Sequence, residues 1–93
     1  MSAKLKSLNQ QVIVILGASS GIGLATAEAA AEKGAKLVLA ARSEGALNEI
    51  ATRLGAAAIA VACDVSKREE VENVARRAVE QFGRIDTLVI NAG

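Results

Sequence analysis

The sequence predicts an α/β fold, a parallel sheet with helices on both faces, and three observations predict it. Short apolar runs at Val12–Leu16, Leu37–Ala41, Ile59–Cys63 and Leu88–Ile90 carry few charges, the pattern of strands buried on both faces of a parallel sheet. Between them lie longer stretches whose apolar residues recur at helical spacing. A glycine-punctuated turn, Gly17-Ala18-Ser19-Ser20-Gly21-Ile22-Gly23, joins the first run to the first helical stretch. Strand, glycine turn and helix in that order present backbone N–H groups and a helix N-terminus to an anion such as a pyrophosphate.

Each element follows from local chemistry. Gly17 permits the tight turn after the first strand, and at Gly21 and Gly23 the missing side chains let backbone approach a phosphate and let the helix pack closely on the sheet. The first helix is expected from about Gly21 to Lys33, with Ile22, Ala25, Ala29 and Ala30 as its apolar face and Gly34 as its stop. The second runs from Glu44 to Leu54, with Leu47, Ile50 and Leu54 on one stripe and Gly55 after it. Ser66-Lys67-Arg68-Glu69 reads as a capping box that opens the third helix. Val71, Val74, Ala75, Ala78, Val79 and Phe82 then form its apolar face, and Gly83 closes it. Residues 1–10 are polar and form a lead-in, leaving residues 11–93 as the folded unit. Right-handed crossovers between the runs put the strands in spatial order 3-2-1-4 with three helices, a partial Rossmann-type doubly wound sheet.

Composition narrows the function classes. A 93-residue chain is one small domain, and 52% apolar with 23% charged residues excludes disorder. Net charge is +1 with acids and bases interspersed, and Phe82 is the one aromatic residue, so no nucleic-acid footprint is present. Cys63, the single cysteine, has no internal disulfide partner and suits a reducing compartment; it reads as a small buried apolar residue. Lys4 and Lys6 precede an apolar run that ends at Leu16, too short for a signal core or a membrane span. The expectation is a cytoplasmic protein with neither membrane nor nucleic acid as partner.

The turn has the spacing Gly-x-x-x-Gly-x-Gly, distinct from Gly-x-Gly-x-x-Gly and from a P-loop. Arg42 lies just past the second strand, Asp64-Val65 ends the third, and Asn91-Ala92-Gly93 ends the fourth. All fall at carboxyl ends of parallel strands around the switch point between strands one and four, where such sheets bind ligands. Taken together, residues 11–93 resemble the short-chain dehydrogenase/reductase family. That resemblance implies that Gly17, Gly21, Ile22 and Gly23 line the phosphates of a dinucleotide, with Ser20 among the cofactor-binding residues of the same turn. It implies that Asp64 and the Val65 backbone hold the adenine, and that Asn91, Ala92 and Gly93 flank the adenosine ribose and the approach to the nicotinamide. On the residues alone, Asp64 also fits as the start of the turn into the third helix, and Asn91 as a tie between strand four and its neighbour. Two positions depart from the family pattern: Leu16 stands where a threonine commonly precedes the first glycine, and Ile90 where an asparagine commonly precedes Asn91.

Cofactor choice follows from charge. Enzymes of this plan that use NAD place an acid near the end of the second strand, where it accepts from the ribose hydroxyls. Here the segment is Ala40-Ala41-Arg42-Ser43. The Arg42 guanidinium, with hydroxyls from Ser19 and Ser43, suits a 2′-phosphate, so NADP(H) is expected over NAD(H). The family moves a hydride between the nicotinamide and a carbonyl or alcohol, using a tyrosine, a lysine, a serine and an asparagine that follow the fourth strand. This sequence has no tyrosine and no histidine, and no catalytic residue is assigned. The expectation is an NADP(H)-binding N-terminal portion of such an oxidoreductase, inactive alone, with strand four as an open edge that pairs with a copy of itself or with a C-terminal half. The alternative is a non-catalytic nucleotide-binding or self-assembling half-fold module.

Overall fold

The computed structural model describes residues 7–55 and 57–91. Strands and helices alternate as β1 (Val12–Leu16), α1 (Gly21–Glu32), β2 (Lys36–Ala41), α2 (Glu44–Leu54), β3 (Ala58–Ala62), α3 (Arg68–Phe82) and β4 (Thr87–Ile90). Of the polar lead-in, residues 1–6 lie outside the described residues and Leu8–Gln10 form one 3-10 turn. The sheet is parallel throughout, in the expected order β3-β2-β1-β4. In register, Leu16 lies beside both Ala40 and Ile90, and Ala41 beside Ala62, so the carboxyl ends of all four strands reach one edge together.

Alternation of side chains divides the core between the two faces. Ile13, Ile15, Leu37 and Leu39 pack under α1 and α2 with Ala27, Ala30, Leu47 and Ile50. Val14, Leu16, Val38, Ala40, Val61 and Cys63 pack under α3 with Val74 and Ala78. β1 and β2 are buried on both sides, as their apolar runs require. β4 is not: Leu88 is 53% and Ile90 62% exposed. These two lie beside Val14 and Leu16 on the α3 face, but α3 packs on β1 and β2 and does not cover them.

Three local expectations are corrected. The buried stripe of α1 is Gly23, Ala27 and Ala30, whereas Ile22, Ala25 and Ala29 face solvent. Ser66 does not cap α3. The N-cap is Lys67, without a side-chain cap, and the Ser66 hydroxyl donates instead to Asp64 Oδ1 at 2.7 Å. On α3 the buried stripe is narrower than expected, Val74 and Ala78 flanked by half-buried Val71 and Phe82, with Ala75 and Val79 exposed.

At the amino ends of β1 and β4 a polar clasp sets the register of the two strands. Asp86 Oδ2 accepts from the Val12 amide at 2.8 Å and from Arg84 Nε at 2.9 Å. The Asp86 amide donates to the Val12 carbonyl at 2.9 Å, and Arg84 Nη2 donates to the Gln10 carbonyl. Thr87 Oγ1 donates to Gln11 Oε1 at 2.6 Å.

Candidate functional site

The glycine turn is locked from two sides. Its first two amides, Gly17 and Ala18, both donate to the Ala40 carbonyl of β2, at 2.7 and 3.1 Å. From β4, the Asn91 amide donates to the Leu16 carbonyl at 2.8 Å, and Asn91 Nδ2 donates to the carbonyls of Gly17 and Ser20 at 3.1 and 3.4 Å. Asn91 therefore does brace the sheet, and it also holds the turn in shape.

Crowding dictates two of the glycines. Gly17 has φ +84°, and a Cβ there would stand 2.2 Å from the Asn91 carbonyl oxygen. A Cβ on Gly23 would stand 2.1 Å from the Gly17 carbonyl oxygen, so α1 can approach the turn only with glycine at that position. Gly21 differs: its φ is +59°, and nothing lies within 4 Å of where its Cβ would be. Open space rather than protein faces it.

Ser20, the N-cap of α1, is extended and makes no side-chain cap. Among the described residues, no carbonyl or side chain accepts from the amides of Ser19, Ser20, Gly21, Ile22 or Gly23. These are the orphan donors of a helix N-terminus, and an anion satisfies them.

They border a cleft of about 570 Å³ at the carboxyl ends of the strands. Gly17, Ser19, Ser20, Arg42, Ser43, Val65 and Asn91 line it, all expected in the sequence to contact a cofactor, together with Ala41 and with Cys63, which the sequence reads as a small buried apolar residue. Gly21, Ile22 and Gly23 form the adjoining first turn of α1, and Ile22 is 74% exposed. Asp64 stands next to the lining residues Cys63 and Val65. Ala92 and Gly93 lie outside the described residues. A second hollow of about 460 Å³, between α2 and β3, is lined by Asn48, Thr52 and apolar residues and shares no residue with the cleft.

Charge in the cleft is arranged simply. Arg42 is exposed and forms no ion pair among the described residues. Asp64 Oδ1 accepts twice from Ser66, from its amide at 3.0 Å and its hydroxyl at 2.7 Å, while Oδ2 has no donor among the described residues. The Ser66 hydroxyl and amide hold the Asp64 carboxyl below its ordinary range, helped by the positive charges of Arg42 and Lys67. Asp64 therefore does begin the turn into α3, and one acceptor oxygen remains available. Burial, followed by the charges of Glu70 and Asp64, pushes the Cys63 thiol up, so it is an apolar wall rather than a nucleophile. The described residues contain no cluster of metal-ligating side chains. No helix among them is long and apolar enough to cross a membrane.

The sequence reading missed Glu70. Its Oε1 accepts from the Asp64 amide at 2.9 Å, reaching back from the first turn of α3. The signal was the run of acids opening α3; the capping-box pattern drew attention to Glu69 instead.

A family described as short chain dehydrogenase matches residues 11–93. An uncharacterized oxidoreductase of Bacillus subtilis, YxnA, is 59% identical over 92 residues, covering 96% of this chain and 26% of that protein. A 3-ketoacyl-(acyl-carrier-protein) reductase from Brucella melitensis, solved with NADH, superposes with TM-score 0.84 at 39% identity, over 88% of this chain and 34% of that one. An alcohol dehydrogenase from Thermococcus sibiricus, solved with 5-hydroxy-NADP, gives TM-score 0.80 at 43% identity, over 84% and 35%. The chain thus spans between about a quarter and a third of the length of these relatives, and the two liganded structures hold cofactors of both kinds.

Proposed function

This chain belongs to the short-chain dehydrogenase/reductase family, and from that premise we propose that its cleft binds NADP(H) in preference to NAD(H). One observation carries the proposal: the amides from Ser19 to Gly23, the Arg42 guanidinium and Asp64 Oδ2 at the cleft have no partner among the described residues, and they match a phosphorylated dinucleotide in kind and order. The free amides from Ser19 to Gly23 suit the diphosphate, and Gly21 leaves room for it. Asp64 Oδ2 suits the adenine amino group, with the exposed Val65 side chain and buried Cys63 as apolar surface beside it. Arg42, flanked by Ser43 and Ser19 at the cleft, suits a 2′-phosphate, and no acid stands at the end of β2 to repel one. Asn91 keeps the turn in shape and borders the cleft beside it.

When bound, the nicotinamide supplies hydride chemistry. The whole protein, in our proposal, moves a hydride between NADP(H) and a carbonyl or alcohol. This stretch contributes binding and orientation; with no tyrosine among its 93 residues, it is expected to turn nothing over by itself. The outer edge of β4 and the exposed Leu88 and Ile90 are proposed as the surface on which it associates with a second copy. A well-folded monomer in sedimentation at high concentration would remove that association.

Calorimetric titration of the chain with NADPH and with NADH tests the cofactor. NADPH is expected to bind about tenfold tighter, the order of one partly exposed charge-assisted contact. Equal affinities, or tighter NADH, end the preference, and failure to bind either ends the functional proposal.

A further inference from the structure

We infer that Glu70 is a positioning residue for adenine recognition: its carboxylate holds the Asp64 amide and thereby presents Asp64 Oδ2 to the base. The inference rests on the proposed adenine role of Asp64 and extends it to a residue that lies neither on a strand end nor among those lining the cleft. Glu70 sits in the first turn of α3, where its side chain reaches back past the N-cap Lys67 to accept from the Asp64 amide at 2.9 Å. A first-turn glutamate ordinarily returns to the N-cap amide. Here it bypasses Lys67 and spans six residues to the end of β3.

The geometry makes this bond consequential. Asp64 sits between β3, which ends at Ala62, and α3, which begins at Arg68, in a connection free to pivot unless pinned. Three bonds pin it. Cys63 donates from its amide to the Ala41 carbonyl at 2.9 Å, the Lys67 amide donates to the Asp64 carbonyl at 3.0 Å, and Glu70 takes the Asp64 amide. Ser66 then fixes the rotation of the carboxylate by occupying Oδ1 twice. Glu70 fixes the backbone and Ser66 the side chain, so the direction of Oδ2 needs both. Glu70 itself is steadied by Lys67 Nζ, 3.7 Å from its other oxygen.

A pair of ligands isolates the contact: NADPH, and its analogue in which purine replaces adenine, lacking only the 6-amino donor. Titrated against the chain, NADPH is expected to bind roughly five- to tenfold tighter, the scale of one hydrogen bond to a carboxylate. Glu70→Ala and Glu70→Asp should reduce that ratio to about twofold or less; the aspartate keeps the negative charge but is one methylene too short to reach the Asp64 amide. Glu70→Gln keeps an acceptor oxygen at the same reach and should keep the ratio. Asp64→Asn serves as the separate arm. Its amide oxygen still takes the Ser66 donors, its NH2 replaces the free acceptor, and the ratio should vanish.

If Asp64→Asn leaves the ratio intact, or the wild-type chain shows none, the adenine role of Asp64 is wrong and the inference goes with it. If Asp64→Asn abolishes the ratio while Ala and Asp at position 70 both retain it, Glu70 alone is acquitted and the inference is overturned. Loss of the ratio in Glu70→Gln as well would also overturn it. Should Glu70→Ala fail to fold, the Gln and Asp variants still decide. In the ligand-free chain, the Asp64 amide proton resonance should move upfield in Glu70→Asp and stay close to wild type in Glu70→Gln; no movement in Glu70→Asp would contradict the bond itself.

Discussion

At the amino ends of β1 and β4, Arg84, Asp86, Thr87, Gln10, Gln11 and the Val12 backbone bond to one another. At the carboxyl ends of the sheet's strands, the amides from Ser19 to Gly23 after β1, the Arg42 guanidinium after β2 and Asp64 Oδ2 after β3 have no partner among the described residues. Both ends carry polar groups. The difference is what satisfies them. A polar group bonded within the chain stabilises the fold, whereas one held rigid and unbonded at a cleft keeps its interaction for a ligand. Asn91 belongs to both kinds, since its side chain is spent on the turn and in being spent keeps the neighbouring amides open.

The comparison breaks most visibly at Gly23. Gly23→Ala would put a methyl against the Gly17 carbonyl, with no flexible side chain to give way, and is expected to cost about 3 kcal/mol in urea unfolding and to remove dinucleotide binding. Gly21→Ala meets no protein atom and bears only the strain of its φ of +59°, about 1 kcal/mol, while weakening the nucleotide, which separates crowding by protein from crowding by ligand. Next in size is Asp86→Ala. Its side chain is 13% exposed, and its loss strands the Val12 amide, for about 2 kcal/mol of stability, with Asp86→Asn recovering much of that. The affinity of the folded protein for NADPH should change little, because the clasp touches no ligand group.

Arg42→Ala reverses that pattern. Stability should be unchanged within about 0.5 kcal/mol, because the side chain is exposed and unpaired, while NADPH weakens about tenfold and NADH hardly at all. The NADPH advantage should also shrink as salt is raised, since an exposed charge pair is screened. The smallest effect is on the acid limb of stability. Asp64 has its folded pKa lowered, chiefly by Ser66, so its contribution is present above its unfolded value of about 4 and is lost as pH falls through the folded one. Asp64→Asn should therefore melt slightly lower than wild type above about pH 4, with the difference closing as pH falls further, as thermal melts across that range would register.

Much of this was legible before any coordinates. β1 and α2 have the ends expected of them, because Gly17, Gly55 and the apolar runs leave few competing choices. Strand order followed from crossover handedness. Seven of the residues singled out in the sequence line one cleft, because the fold rule places ligands at strand carboxyl ends. The start of α3 was not legible. Ser66 had two partners within reach, an α3 amide ahead and the Asp64 carboxylate behind, and the charged acceptor took it. The α1 stripe was hidden for another reason: alanine recurs so often there that several faces look alike, and the tertiary contact of Gly23 with Gly17 selects one. The exposure of Leu88 and Ile90 depends on where α3 lands, which a four-residue run cannot report.

One measurement addresses the division of the molecule directly: amide chemical-shift changes across the whole chain on adding NADPH. The account predicts the largest movements at Ser19–Gly23, Arg42, Ser43, Asp64, Val65 and Asn91, with Arg84–Thr87 still. Movements centred on Arg84–Thr87, or a turn that stays unmoved while the nucleotide binds elsewhere, would contradict it.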